Sequence, residues 1–167
     1  MSVDQHRAHG PRSVSCAIVT VSDTRTADTD TSGAMVRDLL VQAGHVVTGP
    51  VILPDEPARV RAHVETLLGD PTVDAVLVNG GTGLAPRDST YEAIAGLLEK
   101  RLEGFGELFR MLSYEQIGAA AMLSRATAGV AGRRVLFSVP GSTKAVELAM
   151  TKLILPQLGH VVGLVRG

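Results

Sequence analysis

The stretch that decides the fold is Val76-Leu77-Val78-Asn79-Gly80-Gly81-Thr82-Gly83-Leu84-Ala85-Pro86-Arg87-Asp88. Its apolar start predicts a buried strand, and its three glycines predict a loop at the carboxyl end of that strand, where α/β sheets bind ligands. Glycines let backbone N–H groups approach an anion, and Asp88 supplies a carboxylate for a cation beside a phosphate. A glycine-rich turn without a ligand explains this stretch equally well, because it matches neither the Walker loop nor the GxGxxG spacing.

The rest of the chain alternates predicted strands and helices. Strands are predicted at 16–22, 45–53, 76–78 and 135–139, and helices near 35–43, 57–68, 90–98, 108–117, 119–123 and 145–155. Ser89 and Glu92 have the spacing of a capping box, and Gly104-Phe105-Gly106 is expected to interrupt the helical pattern. The alternation predicts a three-layer α/β/α fold with a mostly parallel central sheet and helices on both faces. We expect one domain over residues 13–167, preceded by a flexible tail over residues 1–12.

Composition narrows the class of protein. The chain has 167 residues, of which 45% are apolar and 20% charged, as in ordinary single domains with a sizeable core. A net charge of −1 and an aromatic content of 3% argue against nucleic-acid partners. The single cysteine, Cys16, lies in an apolar run, where a buried small hydrophobe is a better interpretation than a catalytic thiol. We find no stretch long enough to cross a membrane, and we expect a cytoplasmic protein without membrane contacts.

Polar clusters follow each predicted strand. They are Ser22-Asp23, Pro54-Asp55, the glycine loop at 80–83, and the segment from Pro140 to Lys144. All carboxyl ends of a parallel sheet lie on one edge, so these four loops are expected to converge on one rim. Their convergence favours a ligand site more strongly than any single motif does.

The two aspartates Asp55 and Asp88 suit Mg²⁺ bound to the phosphates of a nucleotide. Helix capping is the alternative role; it is the better interpretation for Asp55 taken alone and stands beside the metal role for Asp88. Lys144 is predicted in the first turn of the last helix, where the dipole disfavours a cation, so it either serves an anionic ligand or is a solvent-exposed lysine. Ser142 can cap that helix and bind phosphate.

Taken together, the motifs resemble a known family. They are Thr20-Val-Ser-Asp23-Thr24, Asp30-Thr-Ser-Gly33, Pro54-Asp55-Glu56, Gly80-Gly-Thr-Gly83, Pro86-Arg-Asp88, Leu123-Ser-Arg125 and Pro140-Gly141-Ser142. They occur in the order seen in the MogA/MoaB family of molybdenum cofactor biosynthesis proteins, which is related to the G domain of gephyrin. The segment 103–113 is most similar to the MoaB branch.

The resemblance implies a molybdopterin-binding fold and a molybdopterin adenylyltransferase, which uses Mg²⁺ and ATP to adenylylate molybdopterin and releases pyrophosphate. It implies nucleotide contacts from Gly80, Gly81, Thr82 and Gly83, and catalytic and Mg²⁺-binding roles for Asp55 and Asp88. The resemblance also implies that molybdopterin is bound by seven residues, which are Ser22, Asp23, Ser124, Pro140, Gly141, Ser142 and Lys144. It also implies a homotrimer or a hexamer, and contacts with other molybdenum cofactor biosynthesis proteins.

Two alternatives remain beside the enzyme. Some MoaB-type proteins keep the fold and motifs without a demonstrated enzymatic role, so a non-catalytic oligomeric pterin-binding or regulatory protein is the second hypothesis. The chain also has Thr90-Tyr91-Glu92-Ala93 where the family often has Thr-Pro-Glu-Ala, which changes the rim of the site. The third hypothesis is a nucleotide-binding domain with another acceptor. Intact Asp55 and Asp88 favour the enzyme.

Overall fold

The computed structural model of the chain describes residues 2, 5 and 9–167. The strands are β1 (Ser15–Val21), β2 (Val46–Leu53), β3 (Ala75–Gly80), β4 (Lys100–Arg101), β5 (Thr127–Ala131) and β6 (Arg134–Val139). The helices are α1 (Thr31–Gln42), α2 (Pro57–Gly69), α3 (Thr90–Ala95), α4 (Glu103–Ile117), α5 (Thr143–Ala149) and α6 (Leu155–Arg166). A 3₁₀ turn (Gly118–Leu123) follows α4, and a π turn (Met150–Ile154) joins α5 to α6.

One six-stranded sheet in the order β2-β1-β3-β6-β5-β4 forms the centre of the fold. The first four strands are parallel, whereas β5 runs antiparallel to β6 and β4 antiparallel to β5. The prediction of a mostly parallel α/β sheet is therefore confirmed. The short strands β4 and β5 were not predicted, because Thr127–Ala131 is rich in alanine and glycine, which have low strand propensity, and only pairing with β6 defines them.

Both faces of the sheet are covered by helices, and each face has its own apolar cluster. Along β1, Cys16 and Ile18 belong to one cluster, while Ala17 and Val19 belong to the other. This alternation follows from the two-residue period of a strand. The first cluster packs against α1, α4 and the C-terminal helix, and the second against α2 and α3. The sheet and the helices on its two faces form the three layers of the predicted α/β/α fold.

The predicted boundaries of the helices α3 and α4 were wrong. The helix after Ser89 ends at Ala95, before Leu97 and Leu98. Gly104-Phe105-Gly106 does not interrupt a helix but lies inside α4. Phe105 and Phe109 are one helical turn apart, both buried, and Phe105 also contacts the Phe137 ring at 5.4 Å between centroids. Burial of this aromatic cluster outweighs the low helix propensity of the flanking glycines.

The C-terminal helix is longer than predicted, since α5, the π turn and α6 form one continuous helix over Thr143–Arg166. It has 24 residues and contains an 18-residue window with a mean hydropathy of 1.4, so by length and composition alone it could cross a membrane, and the expectation that no stretch is long enough was wrong. Its buried residues, among them Val146, Met150, Ile154 and Leu158, belong to the first core cluster. These contacts make it a core helix of this fold.

The predicted tail falls partly outside the described residues, which omit 1, 3, 4 and 6–8. Its flexibility stays a prediction. Gly10 and Pro11 lie against α6, where a Cβ on Gly10 would be 2.4 Å from the carbonyl oxygen of Gly159.

We predict that Cys16 is unreactive in the native protein. Its side chain is buried, and burial, together with the nearby charge of Asp74, raises the pKa of the thiol to about 12. A maleimide reagent at pH 8 should leave the native chain unlabelled by mass spectrometry and label it stoichiometrically in guanidinium chloride. Rapid labelling of the folded protein would contradict the buried position.

Candidate functional site

The loops predicted to converge meet at the carboxyl edge of the parallel strands. Asp23, after β1, accepts a hydrogen bond from the backbone N–H of Asp55, after β2, at 2.9 Å. Gly141, which follows β6, lies against Gly80, because a Cβ on Gly141 would be 3.1 Å from the Gly80 Cα. The expected rim therefore exists as a set of contacts between loops that are distant in the sequence.

The glycine loop leaves β3 with two residues in the left-handed region, Gly80 at φ 93° and Gly81 at φ 71°. A Cβ would lie 2.2 Å from the Val21 carbonyl oxygen at Gly80, and 2.8 Å from Thr90 Cγ2 at Gly81. The fold itself thus requires glycine at both positions. A Cβ at Gly83 would lie 2.3 Å from Asp88 Oδ2, so the loop closes tightly over that carboxylate.

Asp88 lies at the end of this loop with a largely covered side chain. Its Oδ2 accepts a hydrogen bond from the Ala85 backbone N–H at 2.9 Å, and its Oδ1 is 3.6 Å from Arg87 Nε. The N-cap residue of α3 is the neighbouring Ser89, so Asp88 does not cap that helix. The carboxylate stabilises the loop through one oxygen and keeps the other at the rim.

Asp55 does not cap α2 either, which removes the alternative that the sequence favoured. The N-cap residue of α2 is Glu56, and no side chain makes the cap hydrogen bond. Asp55 Oδ1 instead accepts a hydrogen bond from the Thr90 hydroxyl at 2.5 Å. This bond ties the loop after β2 to the start of α3, where Thr90 also lies against Gly81 of the glycine loop.

Arg87 is the cation that faces these carboxylates. It donates a hydrogen bond to Asp23 Oδ2, and this hydrogen bond, followed by the charge of Asp23 and then by the charges of Asp88 and Asp55, raises the pKa of its guanidinium. The hydrogen bond from the Asp55 backbone and then the contact with Arg87 hold the pKa of Asp23 below its ordinary value. Both oxygens of Asp23 are therefore engaged in joining loops.

Arg125, from the segment before β5, reaches the opposite side of the glycine loop. Its Nε donates to the Thr82 carbonyl at 3.1 Å, and its terminal nitrogens donate to the Gly83 carbonyl and to Glu92. The guanidinium also lies 4.5 Å from the Tyr91 ring centroid. The pKa of Glu92 is lowered by a hydrogen bond from the backbone N–H of Glu92 and then by the contact with Arg125.

The predicted capping box is wrong, because Ser89 makes no side-chain cap and Glu92 pairs with Arg125.

A second arginine, Arg25, joins the loops on the other side of the rim. It donates to the Gly141 carbonyl at 2.9 Å and to the Ser32 hydroxyl at 2.7 Å, and the Ser32 hydroxyl donates to the same carbonyl. Ser22 accepts a hydrogen bond from the Arg25 backbone N–H at 3.1 Å. Ser142 caps α5 by accepting from the Ala145 N–H, as predicted. Of the predicted pterin residues, Ser22, Gly141 and Ser142 thus lie around Arg25.

A buried polar network supports this side of the rim, and no role was predicted for it from the sequence. Thr20 donates to Asp30 at 2.6 Å, Asn79 donates to Thr20 at 3.0 Å, and Asp30 caps α1 by accepting from the Gly33 N–H. The Asn79 side-chain oxygen has no hydrogen-bond partner among the described residues. An aspartate followed three residues later by glycine at a helix start was the available signal for Asp30.

The remaining predicted residues are Ser124, Pro140 and Lys144. Ser124 Oγ is buried and has no hydrogen-bond partner within the described part of the chain. Pro140 is half-buried and directly precedes Gly141. Lys144 is exposed and lines a cleft of about 490 Å³ between the end of α4 and the C-terminal helix, together with Gln116, Ile117, Glu147, Leu148, Thr151 and Lys152.

We predict that Gly81→Ala lowers the free energy of unfolding of the protein even when no ligand is bound. A left-handed alanine costs about 1–2 kcal/mol, and the close contact with Thr90 adds to this. Denaturant unfolding should show the loss. Gly104→Ala is the matched control, because nothing lies near its added Cβ and it sits in a helix, so its stability should be unchanged or higher. Equal stability of both variants would show that residue 81 is not strained.

Comparisons with known proteins agree with this fold. A family profile described as "Probable molybdopterin binding domain" matches residues 17–160. The chain is 54% identical over 162 residues to molybdenum cofactor biosynthesis protein B of Halalkalibacterium halodurans, covering 96% of this chain and 95% of the relative. A crystal structure of a molybdenum cofactor biosynthesis protein B is similar, with a TM-score of 0.90, 53% identity and coverage of 93% and 98% of the two chains.

A second solved structure, the tungsten cofactor synthesizing protein MoaB from Pyrococcus furiosus, has a TM-score of 0.81 and 35% identity, and the match covers 94% of this chain and 99% of the other. The likeness extends over nearly the whole of each chain, and the residues matched by the family profile, 17–160, contain the loops of the rim.

Proposed function

The chain belongs to the molybdopterin-binding family of molybdenum cofactor biosynthesis proteins that includes MoaB, and on that premise we propose that it adenylylates molybdopterin with ATP and Mg²⁺. Molybdenum cofactor biosynthesis is the process in which the family acts. The observation that carries the proposal is the position of two carboxylates, Asp55 and Asp88, beside a glycine loop at the carboxyl edge of the sheet.

The proposed reaction is a nucleotidyl transfer. An oxygen of the terminal phosphate of molybdopterin attacks the α-phosphorus of ATP, a new P–O bond forms, and the bond to the β-phosphate breaks with release of pyrophosphate. Such a transfer depends on alignment and charge neutralisation rather than on a covalent nucleophile. The backbone of Gly80 through Gly83 is suited to binding the phosphates, because its glycines let N–H groups come close to an anion.

The donor chemistry of the rim fits Mg²⁺. Mg²⁺ is usually bound by one or two carboxylates together with substrate phosphates and water. Asp55 and Asp88 each use one oxygen in a protein hydrogen bond, and the second oxygen of each, which in Asp88 lies 3.6 Å from Arg87 Nε, is the one proposed for the metal. Within the described residues no three His, Cys, Asp or Glu side chains form a group that could hold a metal ion. When bound, Mg²⁺ would neutralise the developing charge on the phosphates.

Molybdopterin is proposed to bind along the loops around Arg25 and toward Lys144. Ser22, Asp23, Ser124, Pro140, Gly141, Ser142 and Lys144 are the residues proposed for it. The unpartnered hydroxyl of Ser124 and the cation of Lys144 support this assignment, since an anionic pterin phosphate needs donors and positive charge.

We predict that Asp88→Asn separates catalysis from folding. Asparagine has the same size, and its side-chain oxygen can still accept from the Ala85 N–H, but it lacks the charge for a metal on phosphates. The thermal midpoint should stay nearly unchanged, while adenylylation, followed as pyrophosphate release, falls by on the order of 100-fold or more. Molybdopterin binding should survive better. Asp38→Asn, on an exposed part of α1, is the matched control and should keep full activity.

Two outcomes would contradict these assignments. Turnover by Asp88→Asn at the wild-type rate would remove the metal role. Absence of adenylylation by the wild type, with molybdopterin, ATP and Mg²⁺ present, would favour a non-catalytic, oligomeric pterin-binding or regulatory protein.

We also propose a homotrimer or a hexamer. Several large apolar side chains are exposed on α4 and the following 3₁₀ turn, including Met111 at 54%, Ile117 at 57% and Met122 at 79% exposure. Met111, Tyr114 and Ile117 follow one another at three-residue spacing on α4 and so share one face of that helix, and exposed apolar faces of this kind are typical of interfaces. Light scattering at micromolar concentration should give three or six times the mass of one chain, and a monomer would contradict the proposal.

Contacts with other cofactor-biosynthesis proteins and a cytoplasmic location stay predictions.

A further inference from the structure

Arg125 has no proposed catalytic role, yet it contacts the glycine loop at two carbonyl groups. Its guanidinium donates to two consecutive carbonyls, those of Thr82 and Gly83, and pairs with Glu92. The same group lies over the Tyr91 ring, and only 19% of the side chain is exposed. Arg125 is therefore held in place by α3 while it holds the loop.

The direction of these carbonyls fixes the direction of the neighbouring N–H groups. A trans peptide is planar, with its C=O and N–H pointing to opposite sides, and the only cis bond in the described residues is Gly49-Pro50. Since the Thr82 and Gly83 carbonyls face Arg125, the N–H groups of Gly83 and Leu84 face away from it. Neither N–H donates to a protein acceptor within the part of the chain that the structure describes.

We propose that Arg125 is a positioning residue that orients these two peptide groups, so that the N–H groups of Gly83 and Leu84 form a paired contact for the phosphates of the nucleotide. Successive N–H groups on one side of a loop form a concave anion site. The inference rests on the proposed function for the identity of the anion. It adds Leu84, Tyr91, Glu92 and Arg125 to the residues that determine nucleotide binding.

The chemistry of arginine explains why this position needs it. A planar guanidinium with five donors can reach two carbonyls and a carboxylate at once, whereas a lysine ammonium is a point charge without the fork. Glu92 balances the charge of Arg125, and the face of Tyr91 restricts its rotation. The arginine is thereby directed to the carbonyls rather than to the phosphates themselves.

The test uses the full chain and Mg²⁺ with α,β-methylene-ATP, an analogue that cannot be cleaved at the bond broken in adenylyl transfer. In the wild type, nucleotide binding should shift the NMR signals of the Gly83 and Leu84 amides. Arg125→Lys keeps the charge and the stem, and it should raise the Kd for the analogue by about 10-fold or more, the effect of losing a charge-assisted hydrogen bond. Arg125→Gln should be at least as severe.

Two further measurements separate positioning from a general loss of structure. The Kd for molybdopterin should change little in Arg125→Lys, because its proposed residues lie mostly on the Arg25 side of the rim; a merely structural role would weaken both ligands together. Arg37→Gln removes an exposed arginine that pairs with Asp38 on α1, and it should leave both affinities unchanged.

Three results would overturn the inference. They are unmoved Gly83 and Leu84 signals in a wild type that binds the analogue, wild-type nucleotide affinity in Arg125→Lys, and equal weakening of nucleotide and molybdopterin binding. Each of these leaves the proposed adenylylation standing. A wild type that binds no nucleotide at all overturns the proposed function, and the phosphate role of the two N–H groups with it.

Discussion

The parallel pairing of β1 with β3 is the constraint on which the rest of the molecule depends. Its register sets Val21 opposite Gly80, so both strands end at the same level and release their loops at the same edge. β2 and β6 flank this pair and are parallel to it, which brings the loops containing Asp55 and Gly141 to that edge as well. The close approach of Gly80 to the Val21 carbonyl exists because the two backbones are paired this tightly.

Three arginines then join loops that the sheet only brings near one another. Arg25 links the loop after β1 to the loop after β6, Arg87 links the glycine loop to Asp23, and Arg125 links the segment before β5 to the glycine loop and α3. Each has several donors on a rigid fork, which suits contacts with carbonyls and carboxylates from different segments. A rim built in this way places guanidinium groups beside carboxylates, and the positive charges offset part of the repulsion between the carboxylates.

The same residues therefore have structural and chemical roles at once. Asp88 stabilises the loop through Oδ2 and faces the rim through Oδ1, and Asp55 holds Thr90 with one oxygen. Gly80 and Gly81 are glycines because of Val21 and Thr90, whatever binds near them. Sequence motifs of this kind indicate a tightly built corner of the sheet as well as a site, which explains why the glycine loop alone matched a plain turn equally well.

The sequence by itself determined the strand and helix alternation, the mostly parallel sheet and the convergence of four loops, because apolar periodicity and the position of turns are local properties of the chain. It also determined the ordered motifs by which the family is recognised. Only the tertiary structure decided that Glu92 pairs with Arg125 instead of capping α3, that Gly104 and Gly106 lie within a helix, and that Thr127–Ala131 is a strand. These outcomes depend on partners remote in the sequence, since a distant arginine, an aromatic cluster or a neighbouring strand changes the free energy of a segment by more than its own propensity does.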